Sequence, residues 1–229
     1  MLTSLPASPV CSVLPSSGNT DADLKEALDH QAMLTREMSH RVKNSLASVV
    51  GLLRVQGRNA ESEDVRNALK DAASRITTIA QVHDHLWRSN KIGFVDIADF
   101  AGELCRKLQE TVAHKVSCAF DPLMISADKA IPLGLLINEI VTNSAKHAYP
   151  DGQSGQIVVS LVRGDRDTAR ITIRDGGVGL PVDFELGRGG GLGMRLTMAL
   201  AQQTDAVIHA NRLAGGTEFV IDVPLEQVH

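Results

Sequence analysis

The stretch Ser39-His40-Arg41-Val42-Lys43-Asn44-Ser45-Leu46 decides how the first third of the chain folds. Around it, Leu34, Met38, Val42, Leu46, Val49 and Leu53 follow one another by three or four, the period of an amphipathic helix. At about 100° per residue that stripe lies roughly opposite His40, which shares its side with Arg36, Lys43, Asn44 and Arg54. An outward imidazole among charges is, taken alone, an ordinary solvated side chain.

Working outward, helical patterning runs from near Asp23 to about Val55, and Gly57-Arg58-Asn59 supplies a stop signal. A second helix is expected from about Ser62 to Trp87, with Val65, Leu69, Ala72, Ile76, Ile79, Val82 and Leu86 in near-heptad spacing. Two such helices joined by a short turn make an antiparallel hairpin too narrow to cover its own apolar stripes. Pairing with a second copy into a four-helix bundle, a homodimer, is the expected solution. Upstream, residues 1–20 are rich in Ser and Pro and read as a disordered lead-in with no sensor domain. Ser89-Asn90-Lys91-Ile92-Gly93 reads as a linker. The expected organisation is therefore lead-in 1–20, hairpin 21–89 and a second domain 94–229.

Composition narrows the function classes. The 229 residues, 43% of them hydrophobic, suffice for one large domain or two modest ones. A net charge of -4 and a pI near 6.0 give no electrostatic case for nucleic acid. Cys11, Cys105 and Cys118 form no C-x-x-C pair, so neither a disulfide framework nor a zinc site is indicated, and a reducing cytoplasm is expected. No run reaches the ~18 apolar residues of a membrane helix, and the start lacks the pattern of a signal peptide. His83 and His85, two apart, do not converge on one helix face and are read as structural.

In the second domain, helices are expected over 97–108, 131–148 (with Pro132 near its first turn) and 192–203. Strands are expected over 116–120, 157–162, 169–173, 206–210 and 218–223. Without strict β-α-β alternation this is an α/β sandwich, one mixed or antiparallel sheet with helices on one face, and the fold class overall is α+β.

Its chemistry concentrates in three places. Glu139, Asn143 and His147 are spaced by four and share a helix face, with Asn138 and Lys146 close by and Ile137, Val141, Ala145 and Ala148 opposite. A solvated polar face explains that pattern; so does a carboxamide and carboxylate set for Mg²⁺ and its waters, with donors for phosphate oxygens. Asp175-Gly-Gly-Val-Gly179-Leu-Pro181 follows a strand and suits either a hairpin turn or close backbone approach to a ligand. Gly187-Arg188-Gly189-Gly190-Gly191-Leu192-Gly193 opens a helix, where backbone N–H groups favour phosphate and a glycine run makes a mobile lid.

Taken together and in order, these motifs resemble the GHKL ATPase superfamily. Asn138-Glu-Ile-Val-Thr-Asn143-Ser-Ala-Lys146-His147-Ala is similar to its N box, and Asp175 to Pro181 to its first glycine box. Gly189-Gly-Gly-Leu-Gly193-Met-Arg195-Leu is similar to the second, and Gly215-Gly216-Thr217-Glu218-Phe219 to the Gly-Thr step before its last strand. His40-Arg41-Val42-Lys43-Asn44 resembles the phosphoacceptor motif of the His-Arg-x-x-Asn class of sensor histidine kinases, close kin of the HWE class. The resemblance covers roughly residues 30 to 225. It departs from the HWE class in lacking a Trp-x-Glu element, since the only Trp is Trp87. It departs from the larger classical class in carrying Arg41 where an acidic residue follows the histidine, so it does not carry over the phosphatase half of the cycle.

The resemblance implies ATP and Mg²⁺ as cofactors, His40 as acceptor, and a response-regulator receiver aspartate as the next station, with no nucleic acid or membrane partner. It implies that Asn143 holds Mg²⁺ and Asp175 reads adenine. Asn138, Lys146, His147, Gly177, Gly179, Gly189, Gly191, Leu192, Gly193 and Thr217 complete the nucleotide site. Glu139 orients a Mg²⁺ water or takes the imidazole proton, Lys43 neutralises incoming charge and Asn44 positions water or phosphate. Two rival readings are a histidine phosphotransferase with a vestigial ATP-binding domain, and an anti-sigma-factor serine kinase of the same ATPase fold.

Overall fold

In a computed structural model, which describes residues 18–88, 93–150, 153–165, 167–188 and 191–225, the apolar repeat around His40 lies on helix α1 (Gly18–Asn59). Residues 1–17 of the expected lead-in, linker residues 89–92 and Gly189 lie outside the described residues. Helix α1 continues through Gly57 rather than stopping there, and the space of the missing side chain faces α2 (Glu63–Arg88): a Cβ on Gly57 would lie 3.6 Å from Leu69 Cβ. A single glycine near a helix end costs about 1 kcal/mol, which packing offsets. Glu63 and Asp64 in the first turn of α2 complement the partial positive charge of its N-terminus.

The chain divides into two compact units, Met1–Met38 and Ser39–His229. The described part of the first is helical, with Leu24 and Met33 both 59% exposed. The second unit holds the end of α1, all of α2 and every strand.

Its sheet contains β2 (Lys115–Phe120), β4 (Gln156–Arg163), β5 (Thr168–Asp175), β6 (Val207–Leu213) and β7 (Gly216–Pro224) in the order β2-β4-β5-β7-β6. Only β2 and β4 run parallel; the other neighbours are antiparallel. Strict alternation in β4, β5 and β7 turns Ile157, Val159, Leu161, Ala169, Ile171, Ile173, Phe219, Ile221 and Val223 to one face. There they pack with Phe100 and Leu104 of α3 (Ile97–Thr111), Ile137, Ile140 and Val141 of α4 (Ala127–His147) and Leu200 of α5 (Leu192–Gln203). Val158 and Val162 point the other way and are exposed. The expected one-sided mixed sheet is what the chain forms.

Two three-residue strands, β1 (Phe94–Asp96) and β3 (Met124–Ser126), pair antiparallel as a second small sheet, too short for alternation to reveal. The Asp96 carboxylate caps α3 by accepting from Ala98 N at 3.0 Å. Helix α4 begins at Ala127, five residues before Pro132, so the expected start near Pro132 is corrected. Pro132 removes one backbone donor, and the Asp128 carbonyl it would have served belongs to an exposed residue that water can satisfy. Among the described residues no helix is long and apolar enough to cross a membrane.

Candidate functional site

Helix α4 determines the site. From Leu136 to Val141 it is buried all round, so Asn138 and Glu139, only 2% and 5% exposed, cannot be the solvated face that spacing allows. Buried polar groups need partners, and these come from α2. Asn138 Oδ1 accepts from Ser74 Oγ at 3.1 Å, and the Glu139 carboxylate takes a bidentate pair from Arg75, Nε at 2.7 Å and Nη2 at 2.8 Å. The Glu139 hydrogen bond, opposed by partial burial, raises the Arg75 pKa above its already high ordinary value, and the two-pronged geometry is that of the stronger guanidinium–carboxylate contacts. One turn further, Lys146 Nζ donates to Asp71 Oδ1 at 2.6 Å.

The other flank of α4 meets the start of α5. A Cβ on Gly193 would lie 3.1 Å from Glu139 Oε2, close enough that the carboxylate must give way, and 3.6 Å from both carboxamide atoms of Asn143, an ordinary contact. Asn143 is half-buried and His147 exposed. Gly191 occupies the N-cap position of α5 without a side-chain cap, and Leu192 is 61% exposed.

Asp175 ends β5, level with Thr217 of β7. Its buried carboxylate accepts from Gly177 N and Thr217 N through Oδ1, and from Ser144 Oγ through Oδ2, each at 3.1 Å. Three donors and no cation fix its orientation while leaving acceptor capacity on Oδ2. The loop beyond is drawn against the C-terminal end of α4: Val178 N donates to the Ala148 carbonyl at 2.9 Å, and a Cβ on Gly177 would strike that carbonyl. Gly179 follows in the left-handed region, φ +77°. Tyr149 secures the same corner, its hydroxyl accepting from Gly176 N at 2.9 Å and donating to the Gln156 carbonyl at 2.6 Å.

The structure thus brings Asn138, Glu139, Asn143, Asp175, Gly177, Gly179, Gly193 and Thr217 around the C-terminal half of α4 and the end of β5. His40, Lys43 and Asn44 stand on α1, all exposed. Lys43 Nζ pairs with Asp84 at 3.1 Å, so its charge is already shared. Sequence reasoning missed Asp71, Ser74, Arg75, Ser144 and Tyr149. Only Ser144, inside the motif, carried a signal.

Comparison with known proteins agrees with this geometry. Residues 37–112 match a family model described as histidine kinase, and residues 128–227 one described as histidine kinase-, DNA gyrase B- and HSP90-like ATPase. The chain is 31% identical over 196 residues to the sensor histidine kinase PdtaS of Mycolicibacterium smegmatis, covering 83% of this chain and 39% of that protein. It is 28% identical over 219 residues to blue-light-activated histidine kinase 2 of Erythrobacter litoralis, covering 90% of this chain and 62% of the relative. It therefore spans less than two thirds of either relative. A solved histidine kinase domain from an Erythrobacter litoralis blue-light activated kinase superposes with a TM-score of 0.64 at 26% identity, covering 87% of this chain and 94% of that one.

Proposed function

We propose, from the premise that this chain belongs to the histidine kinase family, that it moves the γ-phosphoryl group of ATP onto His40 and then onto an aspartate of a response-regulator receiver domain. The observation that carries this reading is one chain holding both an exposed imidazole on a helical rod and a buried carboxylate, Asp175, at a glycine-lined corner. We further propose that it acts in the cytoplasm as a homodimer, because the hairpin leaves Val42 and Val49, two turns apart on α1, 39% and 43% exposed.

The residues suit a nucleotide. The unused lone pairs of Asp175 Oδ2 fit the exocyclic amine of adenine, and the close approach at Gly177 and Gly193 keeps side chains out of the corner. The Asn143 carboxamide is the oxygen donor for Mg²⁺, a cation that prefers oxygen ligands and keeps several waters. When bound, Mg²⁺ supplies charge neutralisation along the triphosphate. Gly191, Leu192 and Gly193, where α5 begins, are the backbone we assign to the phosphates.

In the transfer, a lone pair on a neutral His40 ring nitrogen attacks the γ-phosphorus. The N–P bond forms as the bond to the β–γ bridging oxygen breaks; ADP leaves with that electron pair, and the ring gives up its proton. Glu139 is the carboxylate assigned to that proton, Lys43 to the incoming charge and Asn44 to positioning phosphate or water. Such a loose transition state asks the protein mainly for alignment and charge neutralisation. Replacing Asp175 with Asn preserves the Oδ1 bonds and turns Oδ2 into a donor. ATP affinity in Mg²⁺, measured by calorimetry, is expected to fall about tenfold or more; unchanged affinity would remove Asp175 from the adenine site.

A further inference from the structure

Three contacts join one end of α2 to α4: Asp71 to Lys146, Ser74 to Asn138, and Arg75 to Glu139. On α2 they span about one turn, and all three are polar. Elsewhere the same two helices meet through apolar and small groups; a Cβ on Gly134 would lie 3.1 Å from Val82 Cγ2 and closer still to the Phe100 ring. Between hairpin, α3 and α4 a cleft of about 640 Å³ remains, lined by Leu53, Ala73, Leu104, Leu108 and Thr142 among others. The two halves are therefore not fully packed beside these polar contacts. Polar contacts exchange with water; the Val82–Gly134 end, nearer the linker, does not do so cheaply.

The register of the hairpin locates these contacts relative to the acceptor. Gly57 lies against Leu69, and Lys43 pairs with Asp84. Antiparallel helices in that register place His40 level with about residue 87 of α2. Arg75 is then about twelve residues away, or roughly 18 Å along the rod at 1.5 Å per residue. Glu139 and Asn143, at the phosphate end of the corner, are held near the level of Arg75, whereas transfer needs reacting atoms about 3–3.5 Å apart. Both Glu139 oxygens are also occupied by the guanidinium, so the carboxylate is not free to take the imidazole proton.

We infer that Asp71, Ser74 and Arg75 form a releasable latch that parks the nucleotide corner on the hairpin short of His40, with Arg75 the positioning residue that withholds Glu139. The inference rests on the histidine kinase reading for its consequence, and on the three contacts and the register for its existence. Release of these contacts lets the ATPase half travel towards the acceptor and frees Glu139 in the same movement.

The test compares the wild-type chain with Arg75→Gln, Arg75→Lys and Asp71→Lys, following initial His40 labelling from γ-labelled ATP, ATP affinity and the radius of gyration from small-angle X-ray scattering. Arg75→Gln and Asp71→Lys should each raise the labelling rate about fivefold or more, the scale of an ordinary coupling between two states. Arg75→Lys, which keeps the charge but loses the fork, should fall between them and the wild type. Affinity for ATP should hold and the radius of gyration should rise. A merely structural role for Arg75 would lower the rate. Asp71→Lys breaks the Lys146 contact without unpairing Glu139, so it tests the latch even where Arg75→Gln impairs folding. Where the wild type labels, labelling no faster than wild type in both Arg75→Gln and Asp71→Lys overturns the latch, and so does unchanged scattering in both. Expansion in chains of which none labels, wild type included, would support the latch and remove only the kinase reading.

Discussion

Val42 and Val49, which follow the acceptor on the rod, are 39% and 43% exposed, while Asn138, Glu139 and Asp175 in the corner are 2%, 5% and 3% exposed. On the rod, His40 and Asn44 face water and the exposed Lys43 shares its charge with the half-buried Asp84. In the corner each of the three buried polar side chains is bonded, Asp175 by three donors. An acceptor that must meet two partners in turn gains from exposure. A group that reads a nucleotide gains from being oriented beforehand, because a buried polar atom left unpaired costs about 1–3 kcal/mol. The contrast lies between a surface awaiting partners and a site already assembled.

The largest effect is expected on the rod's side of that contrast. Val49→Glu places a charge on the face proposed to pair with a second copy, and since both protomers carry it, self-association should weaken about a hundredfold or more in sedimentation equilibrium. Equal dimerisation would mean the exposed valines serve something else. In the corner, Gly193→Val drives methyl groups into Glu139 and Asn143. Overpacking of this kind costs about 1–3 kcal/mol, so ATP affinity should drop about tenfold; a variant that binds normally would show the start of α5 is not part of the site.

The smallest effect separates the site from the scaffold. On the sheet face away from the helices, Arg170 and Asp222 form a cross-strand bidentate pair at 2.7 and 2.9 Å. Arg170's hydrogen bonds, opposed by slight burial, hold the Asp222 carboxyl below its ordinary range. A depressed carboxylate pKa contributes stability above the unfolded value and loses it as pH falls through the folded one. Asp222→Asn should lower the melting temperature by about one or two degrees at neutral pH and by nothing near about pH 2, since half-exposed pairs are weak. ATP affinity should not move. A loss of affinity would tie the sheet's open face to the site.

Much of the corner was legible in the sequence because its glycines answer local demands: Gly177 against the Ala148 carbonyl admits no side chain, and Gly193 stands close against Glu139. The hairpin, the strands of the main sheet and α5 followed from periodicity for the same local reason. Arg75 was not legible. It meets Glu139 across 64 residues of sequence, and at the level of α2 alone Asp71, Ser74 and Arg75 look like a solvated face. The burial of Asn138 and Glu139 is likewise a property of two helices meeting, which no single-helix pattern contains. The early start of α4 escaped because Ser126 sits at its N-cap position without a side-chain cap bond to the helix and Pro132 is the louder signal.

The central claim is that a nucleotide held at Asp175 delivers its terminal phosphoryl group to His40. The direct measurement incubates the chain and its His40→Ala variant with γ-labelled ATP and Mg²⁺, then tests the protein-bound label for stability in acid and in alkali. The account predicts an acid-labile, alkali-stable label on the wild-type chain and none on the variant, with ATP binding intact in both. Label that survives acid, or that persists without the His40 imidazole, would contradict it.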